Sequence, residues 1–152
     1  MSGMDQRISV ITLGVADLAA AAGFYEALGW RRTPAPEGVV AFDLIGQTLA
    51  LYPLASFAED IGLPVSELGH GAVTLACNCR AKQEVAGVLA AARRAGAEIL
   101  RPAADVVWGG HVGYFHAPHG VIWEVAFNPF APLAPDGAFR WAGYGDPDAP
   151  DA

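Results

Sequence analysis

Residues 109–129, GGHVGYFHAPHGVIWEVAFNP, hold three of the chain's four histidines, His111, His116 and His119, together with Glu124. Imidazole and carboxylate are the usual nitrogen and oxygen donors to a catalytic divalent metal. The residue types suit a chelate, but the spacing argues against one. Positions 111 and 116 differ by an odd number, so on one regular strand they face opposite sides of a sheet. His119 falls in the turn between two predicted strands, where a solvated side chain is expected. His70 lies outside the hairpin and reads as a surface residue. Glu124 alone does not hold a catalytic metal, which needs about three protein ligands in fixed geometry. The expectation is therefore no metal and no other cofactor.

Cys77 and Cys79, in VTLACNC, are the only cysteines. Two apart on one strand, they point to the same side, rarely reach disulfide geometry, and lack a second pair for a zinc site. Buried free thiols are expected.

The elements that must position these groups are written twice. SVITLGV (9–15) alternates and is β-branched, as a strand requires. Asp17 then offers an N-cap, Leu18, Ala21, Ala22, Tyr25 and Leu28 come next at helical spacing, and Gly29 closes the helix. GVVAFDLIG and QTLALYP (38–53) read as two strands joined by a glycine-containing turn. The order then repeats, with a strand at 71–79 and a helix over 81–95 carrying Val85, Val88, Leu89 and Ala92 on one stripe. AEILRPA is the next short strand, and the 109–127 hairpin ends the unit. ITL at 11–13 is echoed by VTL at 73–75, and Gly46 corresponds to Gly120. Each half is expected to be strand, helix, then three strands. Such a unit does not cover both its sheet faces alone, so pairing two of them is sensible. Module one spans 7–54, a linker 55–70, module two 71–129 and an irregular tail 130–152. Phe139 and Trp141 of that tail could tack it to the body, and its last eight residues read as disordered.

A 152-residue chain, 53% hydrophobic and 16% charged, has the material for a globular domain with a proper core. A net charge of −7 excludes a nucleic-acid phosphate backbone as the expected partner, since that contact relies on clustered Lys and Arg. The start has no long apolar run after its charges, and VAGVLAAARRAG is too short to span a bilayer. A cytoplasmic protein with no membrane partner is the resulting expectation.

The doubled βαβββ unit, ITLGVADL…FYEALGW near the start and GYFHAPHGVIWEV near the end resemble the vicinal oxygen chelate superfamily over roughly 8–129. Its members include glyoxalase I, extradiol dioxygenases and bleomycin-binding resistance proteins. VWGGHVGYF…PHGVIWEVAFNP is similar to an uncharacterised bacterial glyoxalase-like branch. The resemblance implies an α+β fold, with two modules forming a pair of curved mixed-sheet half-barrels, helices outside and a ligand cavity within. It also implies a homodimer. Metal-dependent members take one ligand from the first and last strand of each module. Those positions fall here at Val10, Ala50, Ala72 or Thr74, and Glu124, and only Glu124 ligates strongly. The turn that commonly reads DPDG in the superfamily is HAPHG here and has lost both acids.

Parity then gives the cavity lining. If Glu124 faces inward, so do Ile122 and Ala126, while Trp123 and Val125 face the helices. Val10, Thr12 and Gly14 line the first strand, and Ala72, Thr74, Ala76 and Asn78 the fifth. The resemblance turns Val112, Tyr114 and His116 inward, with Trp108 just before them. Tyr52 lies on the Ala50 face, and Phe42 is taken to join it. The expected ligand-binding set is Glu124, Tyr114, Trp108, His116, Tyr52, Phe42, Asn78, Thr74 and Thr12, an aromatic pocket with few polar groups. The small residues on strands one and five favour a ligand space over a filled barrel. No Lys or Arg falls on the inward list, which disfavours an anionic glutathione-like substrate unless a loop supplies the cation; Arg101, just after AEIL, is the nearest candidate.

A buried lone carboxylate needs a partner. Glu124 is read as a relic held by Tyr114 or a backbone N–H, as an anchor for a cationic or hydrogen-bond-donating ligand, or as a general base if burial strengthens it. The leading expectation is a glyoxalase- or bleomycin-resistance-like protein that binds a small organic molecule without metal. The alternative is a lyase, isomerase or epimerase that uses Glu124 as acid/base or in a non-standard metal site.

Overall fold

The computed structural model describes residues 4, 6, 8–69, 73–141, 143 and 144; His70, Ala72 and the last eight residues lie outside this set. The chain divides into two compact units, residues 1–71 and 72–152.

Unit one holds β1 (Val10–Val15), α1 (Leu18–Ala27), β2 (Val40–Asp43), β3 (Thr48–Pro53) and α2 (Leu54–Ile61), then a short 3₁₀ turn at Val65–Glu67. Asp17 caps α1, its Oδ1 accepting the Ala20 N–H at 2.9 Å. The three strands run in the order β1-β3-β2, with β1 parallel and β2 antiparallel to β3. The third strand expected after α1 is reduced to one bridge, Thr33 to Ala41. Pro34 and Pro36 in that stretch remove ladder donors and stop the strand from extending. Ile11, Leu13, Leu49, Leu51, Val40 and Phe42 share one face by register. Tyr25 of α1 packs there, 5.7 Å from Phe42 between ring centroids.

The stretch expected to be a linker opens with α2, which lies on the other face. Leu54, Ala58 and Ile61 recur at helical spacing, and Gly62 ends the helix in the left-handed region at φ 83°. A Cβ built on Gly14 would lie 2.7 Å from Phe57 Cδ1 and 2.9 Å from Leu54 Cδ1, so the helix settles where β1 has no side chain.

Unit two holds β4 (Thr74–Asn78), α3 (Glu84–Arg94), β5 (Glu98–Asp105), β6 (His111–His116) and β7 (Ile122–Phe127), in the sheet order β4-β7-β6-β5. β4 is parallel to β7, and the other pairs are antiparallel. Val85, Leu89 and Ala92 of α3 are buried, the stripe expected from their spacing. The helix packs against β5, β6 and β7. Trp123 and Val125 are buried, and Trp123 stacks on Phe115 of its own face at 6.3 Å. Gly46 and Gly120, before the last strand of each module, both take positive φ (90° and 95°), where only glycine turns the chain without strain.

Both units are mixed α+β sheets and neither closes into a barrel. Among the described residues no helix is long and apolar enough to cross a membrane.

Candidate functional site

Strand register decides which side chains meet. On β7 and β6, Tyr114 stands directly opposite Glu124, with Ala126 facing Val112 and Ile122 facing His116. On β4, Thr74, Ala76 and Asn78 stand beside Ile122, Glu124 and Ala126. Six of the nine expected ligand residues fall in this unit. Five of them, Glu124, Tyr114, His116, Asn78 and Thr74, share one face, and only Trp108 lies outside the strands. Tyr114 donates its O–H to Glu124 Oε2 at 2.7 Å. That bond supplies the partner a half-buried carboxylate requires. Donation to Glu124, followed by burial and the carboxylate's charge, raises the Tyr114 pKa, while Arg101 opposes the rise. The phenol is thus held as a donor and does not serve as a base.

Arg101 sits on the same face, a position that parity alone does not give. Ile99 pairs with Phe115, but Arg101, and not Leu100, pairs with Tyr114, and a second shift precedes the pairing of Ala104 with Val112. Each shift is a β-bulge, which places two residues of one strand against one of its partner. The first brings Arg101 into a cross-strand row with Tyr114, Glu124 and Ala76. The expectation that no cation joins the inward set is therefore corrected. Pro102, inside the strand, is the available signal, because proline within a strand is confined to edges and bulges. Gly113 permits the close approach. A Cβ there would meet the Leu89 side chain and come within 3.0 Å of the Arg101 carbonyl oxygen.

The histidines disperse, as their odd spacing requires. His111 turns to the α3 side and its Nδ1 is 2.8 Å from Asp105 Oδ1, which Lys82 also reaches at 2.7 Å. The hydrogen bonds from Lys82 and then His111 hold the Asp105 carboxyl below its usual range. His116 stays on the Glu124 face but donates Nε2–H to the Gly120 carbonyl at 3.0 Å, and so braces the turn. His119 is partly buried, which corrects the expectation of a solvated ring. Burial, with the neighbouring His116 second, lowers its pKa to about 4, so the ring is neutral at pH 7.

The remaining expected residues separate. Trp108 occupies the β5–β6 turn, 48% exposed, with its ring over Gly110. Thr12 and Tyr52 belong to unit one, where Tyr52 donates to Asp60 Oδ2 at 2.9 Å and meets Phe57 of α2 edge-on. Phe42 corrects the parity reading. It pairs with Leu49, not with the Ala50 row, and is 1% exposed against Tyr25 and Trp30. Loop length between strands sets register, and here it places Phe42 on the helix α1 side.

The donor set does not fit a chelated metal. Val10 and Ala50 carry no donor, and Ala76 is the register neighbour of Glu124 on β4. Among the described residues no three His, Cys, Asp or Glu side chains come together. Cys77 is exposed rather than buried, and Cys79 is half-buried. Burial, with the charges of Cys77 and Glu84, pushes the Cys79 thiol up to about 11, so it is no thiolate nucleophile at neutral pH.

On the Glu124 face Thr74, Ala76 and Arg101 are exposed, Tyr114, His116, Ile122 and Glu124 are half-buried, and Val112 and Ala126 are buried. A concavity of about 330 Å³ lies elsewhere, between Cys79 and Arg80 after β4, Phe127 and Asn128 at the end of β7, and Pro132 and Leu133. None of the nine expected ligand residues lines it.

Residues 7–125 match the family model of the Glyoxalase/Bleomycin resistance protein/Dioxygenase superfamily. The chain is similar to a glyoxalase-related enzyme from Fulvimarina pelagi, at 37% identity and a TM-score of 0.82, covering 91% of this chain and 99% of that one. It is also similar to a glyoxalase/bleomycin resistance protein/dioxygenase from Nocardioides, at 25% identity and a TM-score of 0.68, covering 83% and 85%. A lactoylglutathione lyase from Agrobacterium tumefaciens shares the fold, at 21% identity and a TM-score of 0.61, covering 82% and 96%. No curated protein matches.

Proposed function

The chain belongs to the Glyoxalase/Bleomycin resistance protein/Dioxygenase superfamily, and from that premise we propose that it binds a small organic molecule on the Glu124 face of its second sheet. The observation that carries this reading is the Tyr114–Glu124 hydrogen bond, set among small and apolar neighbours on a face where Thr74 and Ala76 are exposed. A hydrogen-bonded pair in apolar surroundings gives a ligand orientation as well as area. The donors present supply no chelate, so the proposed binding needs no metal. Thr74, Asn78 and His116 complete the face. A homodimer in the cytoplasm belongs to the same reading.

A panel of metabolites and drug-like compounds, screened by thermal shift, tests it. A ligand that raises the Tm should lose most of that effect in Glu124→Gln and Tyr114→Phe proteins. Hits whose shifts survive both substitutions would move the binding site off this face.

The likeness to a glyoxalase-related enzyme favours a second reading, in which Glu124 moves a proton as acid or base for a lyase or isomerase. Tyr114 engages one carboxylate oxygen, which leaves the other to take the proton under this reading. Under this reading Glu124→Gln abolishes turnover of a bound compound while binding largely remains. Full turnover by that variant would exclude the role.

A further inference from the structure

The row Arg101–Tyr114–Glu124–Ala76 crosses all four strands of the second sheet, about 14 Å at the usual strand spacing. Its two ends differ. At one, Glu124 already accepts from Tyr114 and is flanked by alanine. At the other, Arg101 is exposed, and no hydrogen bond or ion pair joins it to another described residue. The register sets Arg101 directly opposite Tyr114, so the cation and the phenol belong to one cross-strand pair.

We propose that Arg101 makes this face selective for organic anions, with a carboxylate or comparable planar oxyanion held by its guanidinium. The inference rests on the reading of the Glu124 face as the ligand site. Guanidinium presents two parallel N–H donors that match a carboxylate's two oxygens, an arrangement lysine does not offer. The acid nearest in the row, Glu124, is separated from Arg101 by a whole strand and is already engaged by Tyr114, so a ligand anion meets the cation first. Leu100, which is exposed, and Ile122, which is half-buried, offer apolar surface near the row. This surface suits an organic body and gives a bare inorganic ion nothing to bury. The protein's net charge of −7 opposes anion approach at long range, but salt screens that field beyond about 8 Å. Selection is therefore local to Arg101.

Benzoate and benzamide, equal in shape and differing in charge, serve as probes against ¹⁵N-labelled full chain. Benzoate should shift the amide signals of residues 101, 114 and 124 saturably and bind at least ten-fold more tightly than benzamide. Arg101→Gln should weaken benzoate about ten-fold and erase its advantage over benzamide, whereas Arg94→Gln, an exposed change on α3, should leave both unaltered. Equal binding of the two probes, or benzoate binding that survives Arg101→Gln, would overturn the inference while the face stands as a ligand site. If neither probe nor any hit of the thermal-shift panel moves these amides, the reading of the face fails and the inference falls with it.

Discussion

The two sheets come from one repeated pattern, yet their non-core faces have been used differently. In unit one the face of Thr12, Gly14, Ala50 and Tyr52 is met by α2, with Leu54 and Phe57 over Gly14 and Asp60 bound to the Tyr52 hydroxyl. Among the described residues no helix succeeds β7 in unit two, where the chain passes into turns at Asn128–Ala131. Its comparable tyrosine, Tyr114, bonds instead to a carboxylate on the neighbouring strand. The chain beyond the last strand thus divides a duplicated unit into one sheet met by a helix on each face and one whose second face keeps Thr74, Ala76 and Arg101 exposed. Polar side chains collect on the second, because they cost little where water reaches them and a covered face admits few.

This contrast can be broken at several points. The largest effect is expected at Gly113, where added bulk strikes both Leu89 and the backbone of the bulged strand. Gly113→Ala should destabilise the protein by about 2–3 kcal/mol in urea titration. An unchanged midpoint would mean that the bulge relaxes freely. Next, Phe57→Ala removes the side chain that fills the space over Gly14. A loss of about 2 kcal/mol is expected, less than for a fully buried phenylalanine. No loss would show that α2 is not the element that secures the first sheet.

The turns before the last strands give a third comparison. Unit one has Ile45 before Gly46, and unit two has His119 before Gly120. The folded pKa of His119, about 4, lies below the usual value of 6.5, so the unfolded chain binds more protons between those limits. Stability should therefore fall as pH drops below 6.5 and stop falling near 4. Between pH 7 and 5 about 1–2 kcal/mol should be lost through this residue. His119→Gln should flatten that segment of the profile, and an unaltered slope would assign the acid sensitivity elsewhere. Smallest of all, Tyr114→Phe should cost about 1 kcal/mol, the net worth of one hydrogen bond on an open face. A loss several times larger would mean that the Glu124 face is structural in its own right.

Much of this arrangement is legible in the sequence wherever strands stay regular. The hairpin of β6 and β7 has an uninterrupted register, so parity from Glu124 sends Trp123 and Val125 to the core, while the family resemblance puts Tyr114 on the Glu124 face. Asp17 announces its helix because an N-cap is local chemistry. Failures arise where a non-local fact sets the outcome. Phe42 depends on the register across a turn whose geometry the side chains do not reveal. Arg101 depends on a bulge that reverses parity, with Pro102 as its one local sign. α2 reads as linker although Leu54, Ala58 and Ile61 are helically spaced, because glycine and proline from Gly62 onward dominate the segment's composition.

The bulges on β5 also bear on self-association. An exposed sheet edge is a template for any other strand, and proteins blunt such edges with proline, charge and irregular register. β5 has all three, in Pro102, Arg101 with Glu98, and two register shifts. β4, at the opposite edge of the same sheet, pairs with β7 in unbroken register from Thr74 to Asn78. The sheet is thus polarised with respect to growth. An added strand would find regular donors and acceptors beside β4, and beside β5 a ladder interrupted at the residue that presents the cation.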